Sequence, residues 1–310
     1  MRDCSHDQAG FRYLELRFRL PDCRLCPPIY WLAGMQEKTS ADASDGVSGT
    51  TKPEVTIPSR TLEKGLAILS FFDVEHPDWS FKEICAQARL PKATAFRLVK
   101  TLEALKYVTY DAQTGRYHLG SSMLRAAYLT LSNSELVRIA DPILRRLAEV
   151  TTETVNLAVW TDQGAVIVDS VLTPRPFKPH NPPGMFMRGL SNVHARVFLA
   201  FGPESAWPAA LAAPQEPRTE YTVTDPRLME EELIKIKREG VAFGLQEWDL
   251  GMCAVGTPVY GSNGEVRASL AVVAPSERFG QGKMAEYAGE VKRAGAGLSR
   301  ELGYRKKPHH

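Results

Sequence analysis

No stretch of this 310-residue chain approaches the roughly 18 uncharged apolar residues of a membrane-spanning helix, which excludes an integral membrane protein. Cysteine is scarce. There are five, Cys4, Cys23, Cys26, Cys85 and Cys253, an odd and scattered set that excludes a disulfide framework and predicts a reduced, cytoplasmic protein. The N-terminus lacks the basic, apolar, small-residue order of a signal peptide. Neither sign of charge dominates: 38 basic residues face 36 acidic ones, so only the placement of charges can argue for a nucleic-acid partner. Catalytic signatures are missing too, with no phosphate-cradling P-loop and no His-Glu-x-x-His. Cys253 has no local nucleophile motif, and Cys85 reads as a small core residue. No catalytic residue, metal or cofactor is expected.

What is present is an ordinary globular composition, 44% hydrophobic and 24% charged, at a length of about two domains. Residues 1–58 stand apart. Positions 36–58 are rich in Ser, Thr, Asp, Gly and Pro, and the whole segment predicts a disordered extension. Cys23 and Cys26 would need Cys4 and His6 to complete a zinc site, and an unstructured extension is the preferred reading. Met35 is a candidate true start, with residues 1–34 as upstream frame.

Order is predicted from Ser59, an N-cap before a helix over 60–72 that spaces Leu62, Leu66, Ile68, Leu69 and Phe72 helically. Ser80 caps a second helix over 81–89, with Glu83 completing a capping box. Pro91 breaks the chain before a third helix over 92–105 that buries Phe96, Leu98, Val99, Leu102 and Leu105. Residues 107–110 and 116–119 flank Asp111 to Gly115 as a β-hairpin. Three helices and a hairpin outline a winged helix-turn-helix over 59–120. A linker helix is expected over 121–140, helical at 121–131, and Pro142 is expected to break the chain before a helix over 142–150.

Beyond it, 155–160 and 166–171 flank Asp162-Gln163-Gly164 as one hairpin, and 255–260 and 266–273 form another around Gly261 to Gly264. A Pro-rich loop covers 174–183, and helices are predicted at 193–201, from Asp225-Pro226 to Arg238 before Gly240, and at 283–302. Residues 141–304 therefore read as an α+β domain, and 305–310 as a tail whose His309-His310 is a tag remnant or native end.

The third helix concentrates charge. From Arg89 to Lys106 there are five bases, Arg89, Lys92, Arg97, Lys100 and Lys106, and one acid, Glu103. Lys92 and Thr94 occupy the end that a major-groove helix presents to base edges. Arg97, a turn further on, is long enough for guanine or phosphate, and Lys100 continues that face toward phosphate. Ser80 with the amides opening the second helix, Arg116 in the wing, and Arg60 are further phosphate candidates. A solvated charged face is the bland alternative. The combination of capped helices, proline turn, cationic third helix and basic wing favours double-stranded DNA.

Thr61 to Leu69, Leu90 to Leu98, Thr101 to Leu105 and Tyr117 to Gly120 resemble the DNA-binding half of the IclR family of bacterial transcriptional regulators. The second half is similar at Asp141 to Leu144, Leu147-Ala148, Glu153 to Val159, Arg238 to Ala242, Glu247 to Gly251 and Pro258-Val259, in the family's order over about 59–304. The resemblance implies a winged helix-turn-helix, a linker helix and a C-terminal GAF-like effector domain. It also implies homodimers or tetramers on a palindromic operator, as repressor or activator. Ala93 departs from the usual Ser, which shifts base reading onto Thr94 and Arg97.

The effector site departs further. Where the family usually reads Leu-His-Ala-Thr-Ala-x-Gly-Lys, this chain has Leu190 to Val197, and His194, Ala195 and Arg196 bring side-chain cations or donors to a helix start whose amides hold effector carboxylates in relatives. The family's Cys falls on Ala254, one residue from Cys253; an acidic position becomes Leu245; paired Ser positions become Ala271 and Val273. Trp248 and Asp249 border the expected site. Exchanging hydroxyl, thiol and carboxylate for methyl groups disfavours small hydrophilic acids and favours an apolar body held at one end. The expected effector is an aromatic or hydrophobic carboxylate anchored near His194 and Arg196. A small-molecule-binding enzyme or storage module, whose helix-turn-helix mediates protein contacts, is the alternative.

Overall fold

The structure is a computed structural model and describes residues 59–73, 75–161 and 164–305. The expected extension over 1–58 with its cysteines, His6 and Met35, the Asp162-Gln163 turn, and all of the tail but Arg305 lie outside the described residues.

Ser59 caps α1 (Arg60–Leu69) by accepting the Leu62 N–H at 3.3 Å. Ser80 caps α2 (Phe81–Ala88) in the predicted reciprocal box, its hydroxyl accepting the Glu83 N–H while the Glu83 carboxylate accepts the Ser80 N–H. Pro91 opens α3 (Lys92–Ala104). The wing strands β2 (Val108–Asp111) and β3 (Arg116–Leu119) pair antiparallel. The sequence reading missed a third strand, β1 (Asp78–Ser80), which joins the other edge of β3. Ile68, Ile84, Val99, Leu102, Val108 and Tyr117 close one core. Phe96 and Leu105, expected inside, are 50% and 57% exposed; Ala95 is buried instead, alongside Val99 and Leu102. Helix α3 presents only one stripe to the small head, and Phe96 and Leu105 fall beside it.

Gly120 joins the head to the next helix. A Cβ there would stand 2.2 Å from the Lys106 carbonyl, an approach only glycine permits. Helix α4 (Ser121–Ser132) then leaves the head, and no residue of it is buried. The expected break at Pro142 does not occur. Ser134 caps α5 (Glu135–Thr151), which runs through Pro142 and across the anticipated 140/141 boundary; the interruption falls at Asn133 instead. An interior proline costs about 3 kcal/mol. Leu136, Ala140, Leu144, Leu147 and Ala148 bury one stripe of α5, and at about 1.5–3 kcal/mol for each large side chain that burial outweighs the proline.

The second unit is built on a six-stranded antiparallel sheet in the order β6-β5-β4-β9-β8-β7. Its strands are β4 (Thr154–Thr161), β5 (Gly164–Val171), β6 (Phe186–Met187), β7 (Ala242–Leu245), β8 (Met252–Tyr260) and β9 (Val266–Pro275). Helices α5 and α9 (Gln281–Glu301) cover one face over Val155, Leu157, Leu270 and Val272. Helices α6 (Val193–Phe201), α7 (Trp207–Ala212) and α8 (Pro226–Glu239) lie with the other face, where Ala271 joins their core. Burial on both faces explains why β9 reads as a nearly continuous apolar run. Short β7 and α7 were not legible. Gly256 lets α6 seat on the sheet, since a Cβ would stand 2.3 Å from Val193 Cγ2.

Candidate functional site

Two regions answer to the sequence expectations. In the head, α3 turns Ala95, Val99 and Leu102 inward and leaves Lys92, Ala93, Phe96, Arg97 and Lys100 exposed, with Thr94 half-buried at its start. The side chains of Lys92, Arg97 and Arg60 make no hydrogen bond or ion pair with a described residue. Lys100 is held by Glu103 at 2.7 Å. Two of the expected phosphate contacts have partners within the head. Arg116 is engaged within the head, bonded to the Asp78 carboxylate, to the Asp78 carbonyl at 3.2 Å and to Glu83 at 2.8 Å. At the start of α2 the Ser80 N–H is occupied by the Glu83 carboxylate, whose pKa the Ser80 backbone bond and then the Ser80 hydroxyl hold low. That helix end already carries its anion, so phosphate there would meet like charge. Arg116 and Ser80 fasten the wing to α2.

The second region is a cavity of about 50 Å³ beside the start of α6. Of the expected residues, His194, Trp248, Asp249, Cys253, Ala254 and Val273 line it. Ala195 and Ala271 are buried just behind the lining, and Leu245 is exposed outside it. The sequence did not reveal Pro179 and Asn181 of the proline-rich strap, Met187, Met252, or Asn192, although an Asn just ahead of an apolar run is an N-cap signal. Asn192 caps α6, accepting the Ala195 N–H at 2.8 Å and donating to the Gly189 carbonyl at 2.8 Å. The Val193 and His194 amides, just after the cap, have no acceptor among the described residues.

Both residues expected to bring cations or donors are engaged within the protein. Arg196 is 1% exposed and points away from the cavity, donating to the Leu190 carbonyl at 2.6 Å, the Phe243 carbonyl at 3.0 Å and both Glu247 oxygens. A guanidinium with no water around it requires such a partner. His194 bonds through Nδ1 to the Ser269 hydroxyl at 3.0 Å. Burial lowers its pKa to about 4, a hydrogen bond to the Ser269 backbone opposing this in part, so the ring is neutral at physiological pH. Burial also raises the pKa of the Cys253 thiol in the cavity wall, which favours its protonated form. No cluster of three or more metal-ligating side chains occurs among the described residues, and no described helix is long and apolar enough to cross a membrane.

The chain is similar to known proteins in sequence and in fold. Residues 128–300 match the family model for the bacterial transcriptional regulator IclR C-terminal domain, and residues 61–112 match the IclR helix-turn-helix domain. The HTH-type transcriptional repressor AllR of Escherichia coli (strain K12) is 24% identical over 264 residues, spanning 85% of this chain and 97% of its own. The HTH-type transcriptional regulator BhcR of Paracoccus denitrificans is 28% identical over 248 residues, 80% of this chain and 88% of its own. In fold, a crystal structure of an IclR homologue from Microbacterium hydrocarbonoxydans, complexed with 4-hydroxybenzoate, superposes with a TM-score of 0.65 at 22% identity, covering 78% of this chain and 98% of the other.

Proposed function

The chain belongs to the IclR family of bacterial transcriptional regulators, and on that premise we propose that it binds operator DNA through α3 and releases or engages it according to an organic acid bound beside α6. One observation carries the DNA reading: Lys92 and Arg97 are exposed, and unpaired among the described residues, on a helix whose opposite side is anchored in the head's core. Thr94 and Arg97 read base edges, while Lys92, Lys100 and Arg60 meet phosphate. The effector is an aromatic or otherwise apolar carboxylate. Its carboxylate end sits on the free Val193 and His194 amides, where the helix dipole favours negative charge, in place of the Arg196 anchor. Methyl and thioether groups of Ala254, Val273, Met187 and Met252 receive its body. The homologue crystallised with 4-hydroxybenzoate supports this ligand class.

An engineered cavity that admits benzene measures about 150 Å³. The 50 Å³ here is smaller, so binding has to enlarge it, and the strap at Pro179 and Asn181 is a wall that lies in no helix or strand. That enlargement supplies the differential affinity by which a ligand shifts the population of reading heads. The assembly is a homodimer, with pairing into tetramers. Leu62 and Leu66 on α1 and Leu124, Tyr128 and Leu129 on α4 remain exposed, apolar surface suited to a second copy.

The test is selection of genomic fragments by the full-length protein, with and without benzoate. Affinity for selected fragments should fall steeply and linearly on a log–log salt plot, and benzoate should change fragment retention. Equal retention of scrambled duplex under all conditions rejects the DNA reading. Retention indifferent to benzoate and to small keto acids rejects the effector reading.

A further inference from the structure

We propose that Trp248 is a pre-set stacking platform that selects planar aromatic acids over saturated ones of equal size, and that Arg218 is its positioning residue. This rests on the effector reading of the α6 cavity and extends it to Arg218, which no local sequence signal singles out.

Trp248 sits in the turn 246–251 between β7 and β8, and a loop turn of this kind would ordinarily leave a tryptophan free to swing. Here the neighbouring segment 218–222 grips three successive carbonyls of the turn. Thr219 Oγ1 donates to the Gln246 carbonyl at 2.8 Å, Thr222 Oγ1 to the Glu247 carbonyl at 2.8 Å and Arg218 Nε to the Trp248 carbonyl at 3.0 Å. The Gln246 side chain closes the turn by accepting the Gly251 N–H at 3.0 Å. From below, Glu247 is locked to buried Arg196. The side chain is held as well as the backbone. The Arg218 guanidinium carbon lies 3.9 Å from the centre of the indole, and the same guanidinium reaches toward Asp249 at 3.7 Å.

An indole presents two faces. One carries Arg218, and the ring also forms part of the cavity wall with Met187 and Met252. An aromatic ring fixed in advance loses no rotamer freedom on binding, so its stacking energy appears fully in affinity. Flat rings meet it in offset contact, whereas a puckered ring of the same carbon count touches it through a few axial hydrogens. The soft thioethers of Met187 and Met252 also favour an aromatic edge. The effect of stacking beyond area burial corresponds to a preference of roughly two- to tenfold.

The probes are benzoate and cyclohexanecarboxylate, which carry the same charge on rings of the same carbon count, titrated calorimetrically into the full-length protein. The native chain should bind benzoate about two- to tenfold more tightly than the saturated acid. Trp248→Leu should bring the two within about 1.5-fold of each other, chiefly by weakening benzoate, and Trp248→Phe should retain the preference. Arg218→Leu should shrink the ratio and Arg218→Lys restore part of it, since the cation over the ring returns. Equal affinities in the native protein, or a ratio unmoved by Trp248→Leu in a variant that melts cooperatively, overturn the platform. Binding of both acids that is abolished by Ala254→Phe, yet shows no preference, sinks the platform and leaves the effector site standing. Binding of neither acid sinks both.

Discussion

Arg97 and Arg116 look interchangeable as basic residues of one small head, yet only the first is at liberty. Arg116 is spent on Asp78 and Glu83, whereas Arg97 is exposed without a partner among the described residues. Removing Arg97 therefore deletes no hydrogen bond or ion pair of its guanidinium with a described residue. Arg97→Ala should lower operator affinity about tenfold or more, as a bidentate base contact is worth about 1–3 kcal/mol, with the thermal midpoint nearly unchanged. Fluorescence anisotropy on a selected fragment reads the first and a melting curve the second. Undiminished affinity would remove Arg97 from the groove. At the cavity, His194 gives a pH signature. Its folded-state pKa of about 4 lies below its ordinary 6.5, so the unfolded chain takes up the proton first as acid is added. The penalty is absent above about pH 6.5 and grows as pH falls toward about 4, so stability declines across that window. His194→Asn should flatten this part of the curve, measured as urea midpoints from about pH 7 to about pH 4.5. A curve of unchanged slope would assign the decline to other groups.

At the scale of elements, caps and periods were readable because they are local. Ser59 and Ser80 each lie three residues from the amide they accept, and Gly240 ends α8 in a left-handed conformation that glycine adopts without strain. Ser80→Ala should destabilise the head by about 1 kcal/mol, because it opens the capping box. It should also loosen the wing, since Glu83 holds Arg116 as well as the Ser80 amide. Amide exchange at β3 detects this, and protection equal to the native level would separate the cap from the wing. What local signals missed depends on distant partners. Strand β1 is only three residues long and exists through its pairing with β3, far along the chain. The break expected at Pro142 was cancelled by the buried stripe of α5, which no window around the proline reports on.

On the scale of the whole molecule, the described chain has separate cores in head and effector domain, and α4, next after the head, buries none of its residues. Leu124 and Tyr128 are 74% and 68% exposed on it, a poor state for large apolar side chains on a lone linker. Leu124→Asp with Tyr128→Asp should shift the protein toward monomer in sedimentation. It should weaken operator binding much more than one half-site contact would, because two linked heads gain from effective concentration. Retention of the native mass in that double variant would remove α4 from the proposed dimer contact.

The two-unit plan, the helix-turn-helix, both C-terminal hairpins and the cation-rich face of α3 were determined by sequence alone, since period, caps and turn residues act within a few positions of one another. The tertiary structure decided which charges are usable. Arg196 and Glu247 lie 51 positions apart, and Arg116 and Asp78 lie 38 apart. Only folding brings such groups within bonding range, and a buried charge is tolerated only when its partner arrives with it.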